Sequence, residues 1–364
     1  MKAVILVGGQ GTRLKPLTIN TPKAMVPVLN RPFLEYVIGN LSRHKEREIT
    51  LALSHLAQPI KDYFDYGSQF GVRLDYVLEK DPLGTAGAVK NTERSEYHSD
   101  ETFLALNGDI ITDLDITAMI DFHRQKGAKV TIALTPVDDP TSYGLIETDA
   151  KSRVMRFLEK PNWSQVTTNM INAGTYILEP DIMAYIPPQT NFSIEHELFP
   201  LLLEQGVPIY AYPSSAYWID TGTPEKYFRL NKDLLSGKSS QHGLSSGSKV
   251  VIGKKSDIHP TVRITAPVVI GDNCTIGQKA KLTGPVVIGP GSVILDDASI
   301  AESIIWQSVN IGSGVKVKSS IIANDCRLDD GSIVEEAVLG DNVTVASGFK
   351  LEPGSKIWPG TAVR

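Results

Sequence analysis

The first part of the chain alternates between short apolar runs and longer stretches with helical spacing. Runs typical of buried strands lie at residues 3–7, 49–53, 74–78, 103–106 and 130–134. Apolar residues recur every three or four positions after Pro32, over residues 60–66, after Thr85 and over residues 116–125, as in amphipathic helices. Because strands and helices alternate, the pattern predicts an α/β fold with a Rossmann-like, mostly parallel sheet.

From residue 252 the apolar period changes to six residues, which indicates a hexapeptide repeat. The first unbroken series is Ile252, Ile258, Ile264, Ile270, Ile276, Leu282, Ile288, Ile294 and Ile300. After Ile300 the spacing shortens by one at intervals, giving Ile305, Ile311, Val317, Ile322, Leu328, Val334, Leu339, Val345, Leu351, Ile357 and Val363.

A three-sided coil explains both spacings. Three sides of six residues make eighteen per turn, and one shortened corner makes seventeen. We expect an aliphatic side chain from each side to point inward, with Gly, Asn and Asp at the corners, where φ is positive. The repeat resembles the left-handed parallel β-helix of hexapeptide-repeat proteins.

The change of period also divides the chain. Thr223 and Pro224 suit the N-cap and first position of a helix that is expected to end near Leu235. Residues 236–249 are rich in Ser, Gly and Lys and have little to bury. We therefore predict an α/β domain at residues 1–235, a linker at residues 236–249 and a β-helix domain at residues 250–364.

Composition excludes several classes of protein. A net charge of −5 gives no basic surplus for a nucleic-acid partner. Cys274 and Cys326 lack disulfide-framework or zinc-site spacing, so they are interpreted as buried fillers. The apolar run at residues 3–7 is too short for a signal peptide or a membrane span, so a cytoplasmic protein with no membrane partner is expected.

Candidate chemistry begins at the glycine-rich string LVGGQGTRL, residues 6–14. Gly8, Gly9 and Gly11 allow the backbone to approach phosphate oxygens closely, and the guanidinium of Arg13 adds a fork that grips them. No Gly-Lys-Ser/Thr follows, so the string is not a Walker motif.

Four further short motifs are expected at strand ends. They contain Lys23 in TPKAMVPV, Asp109 in NGD, Lys160 in EKP and Asp220 in WIDTG. Ligands of open α/β sheets bind outside the carboxyl ends of the strands, so these motifs can meet in one crevice. Two carboxylates from separate strand ends, Asp109 and Asp220, could coordinate Mg²⁺ through oxygen.

Together these motifs resemble the sugar-1-phosphate nucleotidyltransferases. The segments LVGGQGTRLKPLT, PLGTAGA, FLEKP, INAGTY, SIEHELFP and WIDTGTP are especially similar to those of the GDP-mannose pyrophosphorylases. The resemblance implies that a sugar 1-phosphate oxygen attacks the α-phosphorus of a nucleoside triphosphate and that pyrophosphate leaves. It also implies Mg²⁺ as cofactor, a nucleoside triphosphate and a sugar 1-phosphate as partners, and a β-helix tail.

The resemblance assigns roles residue by residue. The catalytic group is Arg13, Lys23, Asp109, Lys160 and Asp220, of which Asp109 and Asp220 match the family's metal ligands. Nucleotide binding is implied for Leu6, Gly8, Gly9, Gly11, Thr12, Arg13, Glu79, Gly84, Thr85 and Gly108. Sugar-phosphate binding is implied for Gly144, Glu159, Lys160, Asn172 and Gly174.

The choice of base depends on Glu79. Uridylyl- and thymidylyltransferases of this superfamily usually have Gln at the matching position. A carboxylate only accepts hydrogen bonds, which suits the two adjacent donors of guanine better than the imide of uracil or thymine. GTP is therefore the expected nucleotide and mannose 1-phosphate the expected sugar, with glucose-1-phosphate uridylyl- or thymidylyltransfer as the alternative.

Two other functions stay open. One is a catalytically silent regulatory homologue, which binds a nucleotide sugar without making it. The other is acyl transfer by the β-helix, for which His259 is the only tail histidine. Since a β-helix leaves faces and an open end for packing, the tail is expected to build a homo-oligomer.

Overall fold

The computed structural model describes residues 1–9, 11–54, 56–94, 101–243 and 249–364. The described chain forms two compact units, each assembled from two stretches of sequence. The first unit contains Met1–Gly9 and Leu34–Trp218. The second contains the described residues of Gln10–Phe33 and of Ile219–Arg364. No helix in the described ranges is both long enough and apolar enough to cross a lipid bilayer.

Strands and helices precede the repeats in the expected alternation. The strands are β1 (Lys2–Val7), β2 (Pro27–Val28), β3 (Arg31–Pro32), β4 (Glu48–Leu53), β5 (Arg73–Leu78), β6 (Phe103–Asn107), β7 (Ile110–Thr112), β8 (Val130–Pro136), β9 (Gly144–Thr148), β10 (Val154–Glu159), β11 (Met170–Leu178), β12 (Ile209–Pro213) and β13 (Trp218–Asp220). The helices are α1 (Phe33–Arg43), α2 (Ala57–Phe64), α3 (Gly84–Asn91), α4 (Ile116–Lys126), α5 (Phe199–Glu204) and α6 (Pro224–Leu235).

A mixed sheet forms the centre of the first unit. Strands β5, β4, β1 and β6 lie side by side and parallel, as predicted. Strand β11 then runs antiparallel to β6 and β8, and β9 runs antiparallel to β10. The sheet is less parallel than expected because β9 and β10 are joined by a short turn, which permits antiparallel pairing without a crossover helix.

The helix ends follow the expected local chemistry. The Thr223 side chain accepts from the Lys226 amide, and Pro224 occupies the first position of α6, which ends at Leu235 as predicted. In α4, Asp115 accepts from the Ala118 amide, and Gly127 closes the helix in a left-handed conformation. These caps fix where α4 and α6 begin and where α4 ends.

The repeats of the second unit form the expected left-handed parallel β-helix. Its strands are β14 (Val250–Ile252), β15 (Asp257–Ile258), β16 (Arg263–Thr265), β17 (Val268–Ile270), β18 (Thr275–Ile276), β19 (Lys281–Thr283), β20 (Val286–Ile288), β21 (Val293–Ile294), β22 (Ser299–Ala301), β23 (Ile304–Ile305), β24 (Asn310–Ile311), β25 (Lys316–Lys318), β26 (Ile321–Ile322), β27 (Arg327–Leu328), β28 (Ile333–Glu335), β29 (Val338–Leu339), β30 (Thr344–Val345), β31 (Lys356–Ile357) and β32 (Ala362–Val363). They make three sheets, of which one contains β14, β17, β20, β23, β26, β29 and β31.

The register confirms the two coil lengths. Ile270 pairs with Ile288, eighteen positions on, whereas Ile288 pairs with Ile305, seventeen positions on. The inward aliphatic residues of the central coils are fully buried. Cys274 and Cys326 are also buried and are not in a disulfide, as predicted.

The shortened corners use residues that the sequence did not indicate. Glu302, Ser319 and Glu336 have φ of 45°, 49° and 50°, where Gly, Asn or Asp was expected. Each of these residues donates its amide to a carbonyl of the preceding coil, at 3.1, 3.1 and 2.9 Å respectively. Hydrogen bonds between coils therefore offset the cost of left-handed backbone at these corners.

The first half of the predicted linker is packed. Ser239 is buried and its hydroxyl accepts from the His242 amide at 2.9 Å. Lys238 forms an ion pair with the buried Asp233 of α6 at 2.6 Å. Polar residues are thus ordered here by hydrogen bonds, although they offer little apolar surface. Residues 244–248 of that linker, like Gln10, His55 and residues 95–100, lie outside the described residues.

Candidate active site

The segment after the first glycines belongs to the second unit and carries Lys23. Gly11 has φ of 60°, and its carbonyl accepts from the Thr18 hydroxyl at 2.7 Å. A Cβ at Gly11 would lie 3.1 Å from Thr18 and 3.3 Å from the Lys23 Cβ. Glycine is required here because both the left-handed backbone and the close approach of Thr18 disfavour a side chain. Thr12 and Arg13 follow in an exposed 3₁₀ turn.

Arg13 and Asp220, two of the predicted catalytic residues, lie beside one turn of the second unit. A Cβ at Gly222 would lie 2.8 Å from Asp220 Oδ1 and 3.3 Å from Arg13 Nη2. Lys226 Nζ donates to Asp220 Oδ2 at 2.6 Å. A guanidinium, a carboxylate and an ammonium group therefore gather around Gly222. Lys226 was not predicted from the sequence, where its only signal is its place in the first turn of the helix after Asp220.

In the first unit, the carboxyl ends of β1 and β6 carry predicted nucleotide-binding and metal-binding residues. Leu6 is the register partner of Asn107 in these parallel strands. The Leu6 carbonyl accepts from the Gly108 amide at 2.9 Å, and a Cβ at Gly108 would lie 2.7 Å from that oxygen. The chain can therefore turn tightly against β1 before Asp109, which is half-buried.

Glu79, the predicted base-reading residue, follows β5 and lies beside the first glycines. Its Oε1 is 3.6 Å from the position of a Cβ at Gly8, and no described atom lies within 4 Å of a Cβ at Gly9. Its Oε2 accepts from the Leu83 amide at 3.3 Å. Burial raises the pKa of the Glu79 carboxyl. Gly8, Gly9 and Glu79 thus line one open corner of the first unit.

The predicted sugar-phosphate residues Gly144, Glu159 and Lys160 are neighbours on β9 and at the end of β10. Gly144 is the register partner of Glu159, and a Cβ at Gly144 would lie 2.8 Å from Glu159 Oε2. The Lys160 ammonium is 3.8 Å from Glu159 Oε1, with its side chain 64% exposed. Lys160 has φ of 48°, the kind of backbone strain that functional sites retain.

Asn172 and Gly174 lie at an irregularity in β11. The register of β11 against β8 shifts between Asn172 and Tyr176, as at a bulge that redirects side chains. Asn172 accepts from the Gly174 amide at 2.9 Å and donates to the Tyr176 hydroxyl at 2.8 Å. Gly174 has φ of 68°, and a Cβ there would lie 2.7 Å from Asn107 Nδ2. The bulge therefore joins the sugar-phosphate residues to the strand end before Asp109.

Glu195 links this group to α3 and was missed by the sequence analysis. Its Oε1 accepts from the Tyr176 hydroxyl at 3.1 Å, and its Oε2 accepts from the Thr85 hydroxyl at 2.8 Å. A Cβ at Gly84 would lie 2.7 Å from the Phe192 carbonyl, in the segment before Glu195. Gly84 and Thr85, predicted to bind nucleotide, thus pack against the segment of Glu195. That segment was recognised only through the string SIEHELFP.

The electrostatics of this group suit a ligand rich in hydroxyls. Burial raises the pKa of the Glu159 carboxyl, and the Glu195 carboxylate raises it further. Burial also raises the pKa of the Tyr176 hydroxyl well above its ordinary value, with Glu195 adding to the effect. The buried Tyr176 hydroxyl already donates to Glu195, so the partly exposed Glu159 carboxylate is left as the acceptor for a ligand hydroxyl.

A metal site is not evident from the protein side chains alone. Within the described ranges, no group of three or more His, Cys, Asp or Glu residues could hold a metal ion. Mg²⁺ in phosphate sites is bound through one or two carboxylates, with phosphates and water completing the shell. Asp220 fits a cation because it already accepts from the Lys226 ammonium. Asp109 and Asp220 therefore stay predicted ligands.

Comparison with known proteins places this chemistry in a family. A family model described as nucleotidyl transferase matches residues 2–237. The chain belongs to the nucleotidyl transferase family. A second model, described as the LbH domain of EIF2B subunit epsilon, matches residues 278–364 of this nucleotidyltransferase and agrees with its β-helix.

Curated relatives confirm the resemblance to the sugar-1-phosphate nucleotidyltransferases. The nucleotidyltransferase is 36% identical to a mannose-1-phosphate guanyltransferase of Candida albicans, over 99% of this chain and 96% of that protein. It is 33% identical to a UTP–glucose-1-phosphate uridylyltransferase of Synechocystis, over 88% of this chain and 87% of the relative. Among solved structures, HddC from Yersinia pseudotuberculosis complexed with GMP-PN is 32% identical, with a TM-score of 0.55, and covers 64% of this chain and 98% of its own.

Replacement of Glu159 separates stability from binding. A carboxyl whose folded-state pKa is raised stabilises the fold only while it is protonated, so it contributes unfavourably once pH exceeds that raised value. Glu159→Gln should therefore unfold at the same or higher denaturant concentration than wild type at pH 8. This advantage should shrink as pH falls from the raised pKa toward the usual glutamate range, and it should be absent below that range, because both states are then protonated.

The same variant should bind sugar phosphate worse by about ten- to a hundredfold, since an amide cannot replace both acceptor oxygens. Urea titrations over a pH series and isothermal calorimetry measure the two effects. Glu204→Gln, at an exposed position in α5, is the control. A large loss of stability in Glu159→Gln at pH 8 would contradict this interpretation of the pKa.

Proposed function

We propose that this enzyme transfers a guanylyl group from GTP to mannose 1-phosphate, forming GDP-mannose and pyrophosphate. A phosphate oxygen of the sugar substrate attacks the α-phosphorus in line; one P–O bond forms, and the bond to pyrophosphate breaks. The observation that carries the proposal is Arg13 beside the Asp220–Gly222 turn, in the unit that also holds Gly11 and Lys23.

Both reactants are anionic, so positioning and charge neutralisation account for the rate. We assign Arg13 and Lys23 to the triphosphate, where their positive charges offset the negative charge that develops on the phosphorus and on the leaving pyrophosphate. Lys160 holds the sugar phosphate, and its exposed ammonium beside Glu159 supports that assignment. We assign the backbone of six residues to the nucleotide: Leu6, Gly8, Gly9, Gly11, Thr12 and Gly108.

Asp109 and Asp220 would hold Mg²⁺. The ion, when bound, supplies positive charge to the triphosphate oxygens. The residues of the chain contribute independently of it: Lys226 orients the Asp220 carboxylate through a 2.6 Å hydrogen bond, and the Gly222 amide fixes the other oxygen at 3.0 Å.

Glu79 supports GTP as the nucleotide. Its carboxylate lies beside Gly8 and is partly withdrawn from water, which is why its pKa is raised. A pair of donors from guanine N1–H and the exocyclic amine would replace the lost hydration, whereas a uracil or thymine edge offers one donor between two acceptors. Mannose is supported by the similarity to guanyltransferases of mannose 1-phosphate.

The alternative is uridylyl transfer to glucose 1-phosphate, which the Synechocystis relative favours. A silent regulatory homologue is the other reading, and the presence of Arg13, Lys23, Asp109, Lys160 and Asp220 argues against it. A cytoplasmic location stays a prediction.

A substrate panel tests these readings. GTP, UTP, dTTP, ATP and CTP are each combined with mannose 1-phosphate and glucose 1-phosphate, and pyrophosphate release is measured. We expect GTP with mannose 1-phosphate to give the highest kcat/KM. Glu79→Gln should lower the preference for GTP over UTP by about ten- to a hundredfold, because an amide both donates and accepts. Turnover confined to UTP or dTTP would overturn the assignment of GTP, and no turnover with any pair would favour the silent homologue.

Asp220→Asn tests the metal assignment. The substitution keeps the shape of the side chain but removes its charge, so kcat should fall by about 10²-fold or more at saturating Mg²⁺. Pyrophosphate release over a Mg²⁺ titration gives the value, and thermal unfolding checks the fold. Asp138→Asn, at an exposed residue, should change neither quantity. Magnesium-dependent turnover at the wild-type rate in Asp220→Asn would refute the ligand role.

We further propose a homo-oligomer assembled through the start of the β-helix. Val250, Val251 and Ile252 of β14 are 41%, 39% and 50% exposed, and β14 is the first strand of its sheet. An apolar strand at a sheet edge is suited to pair with another chain.

Val251→Glu should therefore lower the mass of the full-length protein in solution, as measured by light scattering. Arg263→Glu, at an exposed residue of β16, serves as the charge control and should leave the mass unchanged. A wild-type protein that is monomeric, or a Val251→Glu protein of unchanged mass, would end this proposal.

A further inference from the structure

The segment from Gly11 to Phe33 is joined to the β-helix through three sets of hydrogen bonds, all within the second unit. We call residues 11–33 the anchored segment. It carries Arg13 and Lys23. Two β-helix residues bond to it directly, Ile288 and Asp341, and Trp306 reaches it through Tyr227 of α6. The three residues lie at or just after the ends of β20, β29 and β23. These strands belong to one sheet of the β-helix, so the anchored segment follows a single face of the coil.

The first connection passes through α6. Trp306 is 1% exposed, and its indole N–H donates to the Tyr227 hydroxyl at 3.0 Å. The Tyr227 hydroxyl in turn donates to the Pro27 carbonyl in β2. The two rings meet edge to face, with centroids 6.4 Å apart. A buried indole N–H and a buried phenol hydroxyl both need partners, and here they satisfy each other while fixing Pro27, four residues after Lys23.

The second connection holds the turn between β2 and β3. Leu29 and Asn30 have φ of 46° and 66°. Left-handed backbone is costly for leucine, and it persists only where the surroundings impose it. The Leu29 amide donates to Asn231 Oδ1 of α6 at 3.1 Å, and Asn30 Nδ2 donates to the Ile288 carbonyl at 2.8 Å. The β-helix and α6 therefore impose this turn.

The third connection lies before Lys23. Asn20 Nδ2 donates to Asp341 Oδ2 at 3.1 Å. Asp341 is 6% exposed, and its other oxygen accepts from the Asn324 amide at 3.0 Å. A buried carboxylate whose two oxygens both accept hydrogen bonds is held rigidly. Asp341 therefore fixes Asn20, which precedes Lys23 in the chain, as Tyr227 fixes Pro27, which follows it. Lys23 is thus bracketed by Asn20 and Pro27.

We propose that Tyr227 and Trp306 are positioning residues for nucleotidyl transfer, which set the place of Lys23, and with it the triphosphate, through the Pro27 carbonyl. The inference rests on the proposed role of Lys23 in triphosphate binding. It gives the β-helix a part in catalysis, in addition to assembly. Displacement of a charged group by about 1 Å is enough to cost about a hundredfold in rate, so loss of one connection has a measurable effect without loss of the fold.

Tyr227→Phe is the sharpest test, since it removes one oxygen, breaks both hydrogen bonds of the first connection and keeps the ring. In the full-length enzyme we expect kcat/KM for the nucleoside triphosphate to fall by about ten- to a hundredfold. The KM for the sugar phosphate should change less than about twofold, because that substrate is assigned to Lys160 and the first unit. Trp306→Phe should reproduce this split between the two substrates.

Two controls separate positioning from stability. Tyr63→Phe removes a hydroxyl that donates to Glu35, at 3.1 Å, in the first unit. Ile322→Val removes one methylene group from the fully buried core behind the same β-helix face. Both should lower thermal stability without the loss specific to the triphosphate. The proposal is overturned if Tyr227→Phe keeps the wild-type kcat/KM for the triphosphate, or if Ile322→Val shows the same selective loss.

A failure of the proposed function has a different outcome. If wild type turns over no substrate pair, amide hydrogen exchange in Tyr227→Phe still tests the connection. Exchange over residues 22–33 should then be faster than in wild type by about tenfold or more, and unchanged in Tyr63→Phe. Equal exchange in Tyr227→Phe and wild type would refute the positioning role whatever the substrate.

Discussion

The buried hydroxyl of Tyr227 holds the anchored segment, α6 and the β-helix together. It accepts from Trp306 in the β-helix and donates to Pro27 in the anchored segment, so one buried oxygen joins three elements that are far apart in sequence. Cationic groups stabilise a developing negative charge best when they are already in place before the substrate arrives. This buried hydrogen-bond chain fixes the backbone next to Lys23 and so holds that cation in place before the substrate arrives. Arg13 lies in an exposed turn, where the ligand can reach it.

The β-helix is suited to this task because its geometry repeats. Each coil donates backbone hydrogen bonds to the next, and the inward residues Ile288, Ile305, Ile322 and Leu339 stack without exposure. A stack of this kind contributes contact points at fixed intervals along one face. The first unit has a different design, in which a bulge at Asn172–Gly174 and the hydrogen bond from Tyr176 to Glu195 order polar side chains near the strand ends.

Local patterns predicted much of this fold. Spacings of six and five residues predicted both coil lengths, and Thr223 with Pro224 predicted the start of α6, because those features depend on neighbouring residues alone. The sequence motifs also indicated which strand ends carry Asp109 and Lys160. The motifs did not reveal Glu195, whose partners Thr85 and Tyr176 lie in other elements. They also did not reveal the attachment of residues 11–33 to Ile288 and Asp341. The contacts of Asn30 and Asn20 with the β-helix link positions more than two hundred residues apart, and Glu195 lies 110 positions from Thr85. No local pattern encodes them.

The anchored segment should be ordered before nucleotide binds. Amide hydrogen exchange of the wild-type protein, with and without GTP and Mg²⁺, measures this order directly. The amides of Leu14, Met25 and Phe33 donate to carbonyls at 2.9, 2.8 and 3.0 Å, so we expect slow exchange at these positions in both states. Fast exchange in the free protein, with protection only after nucleotide is added, would contradict it.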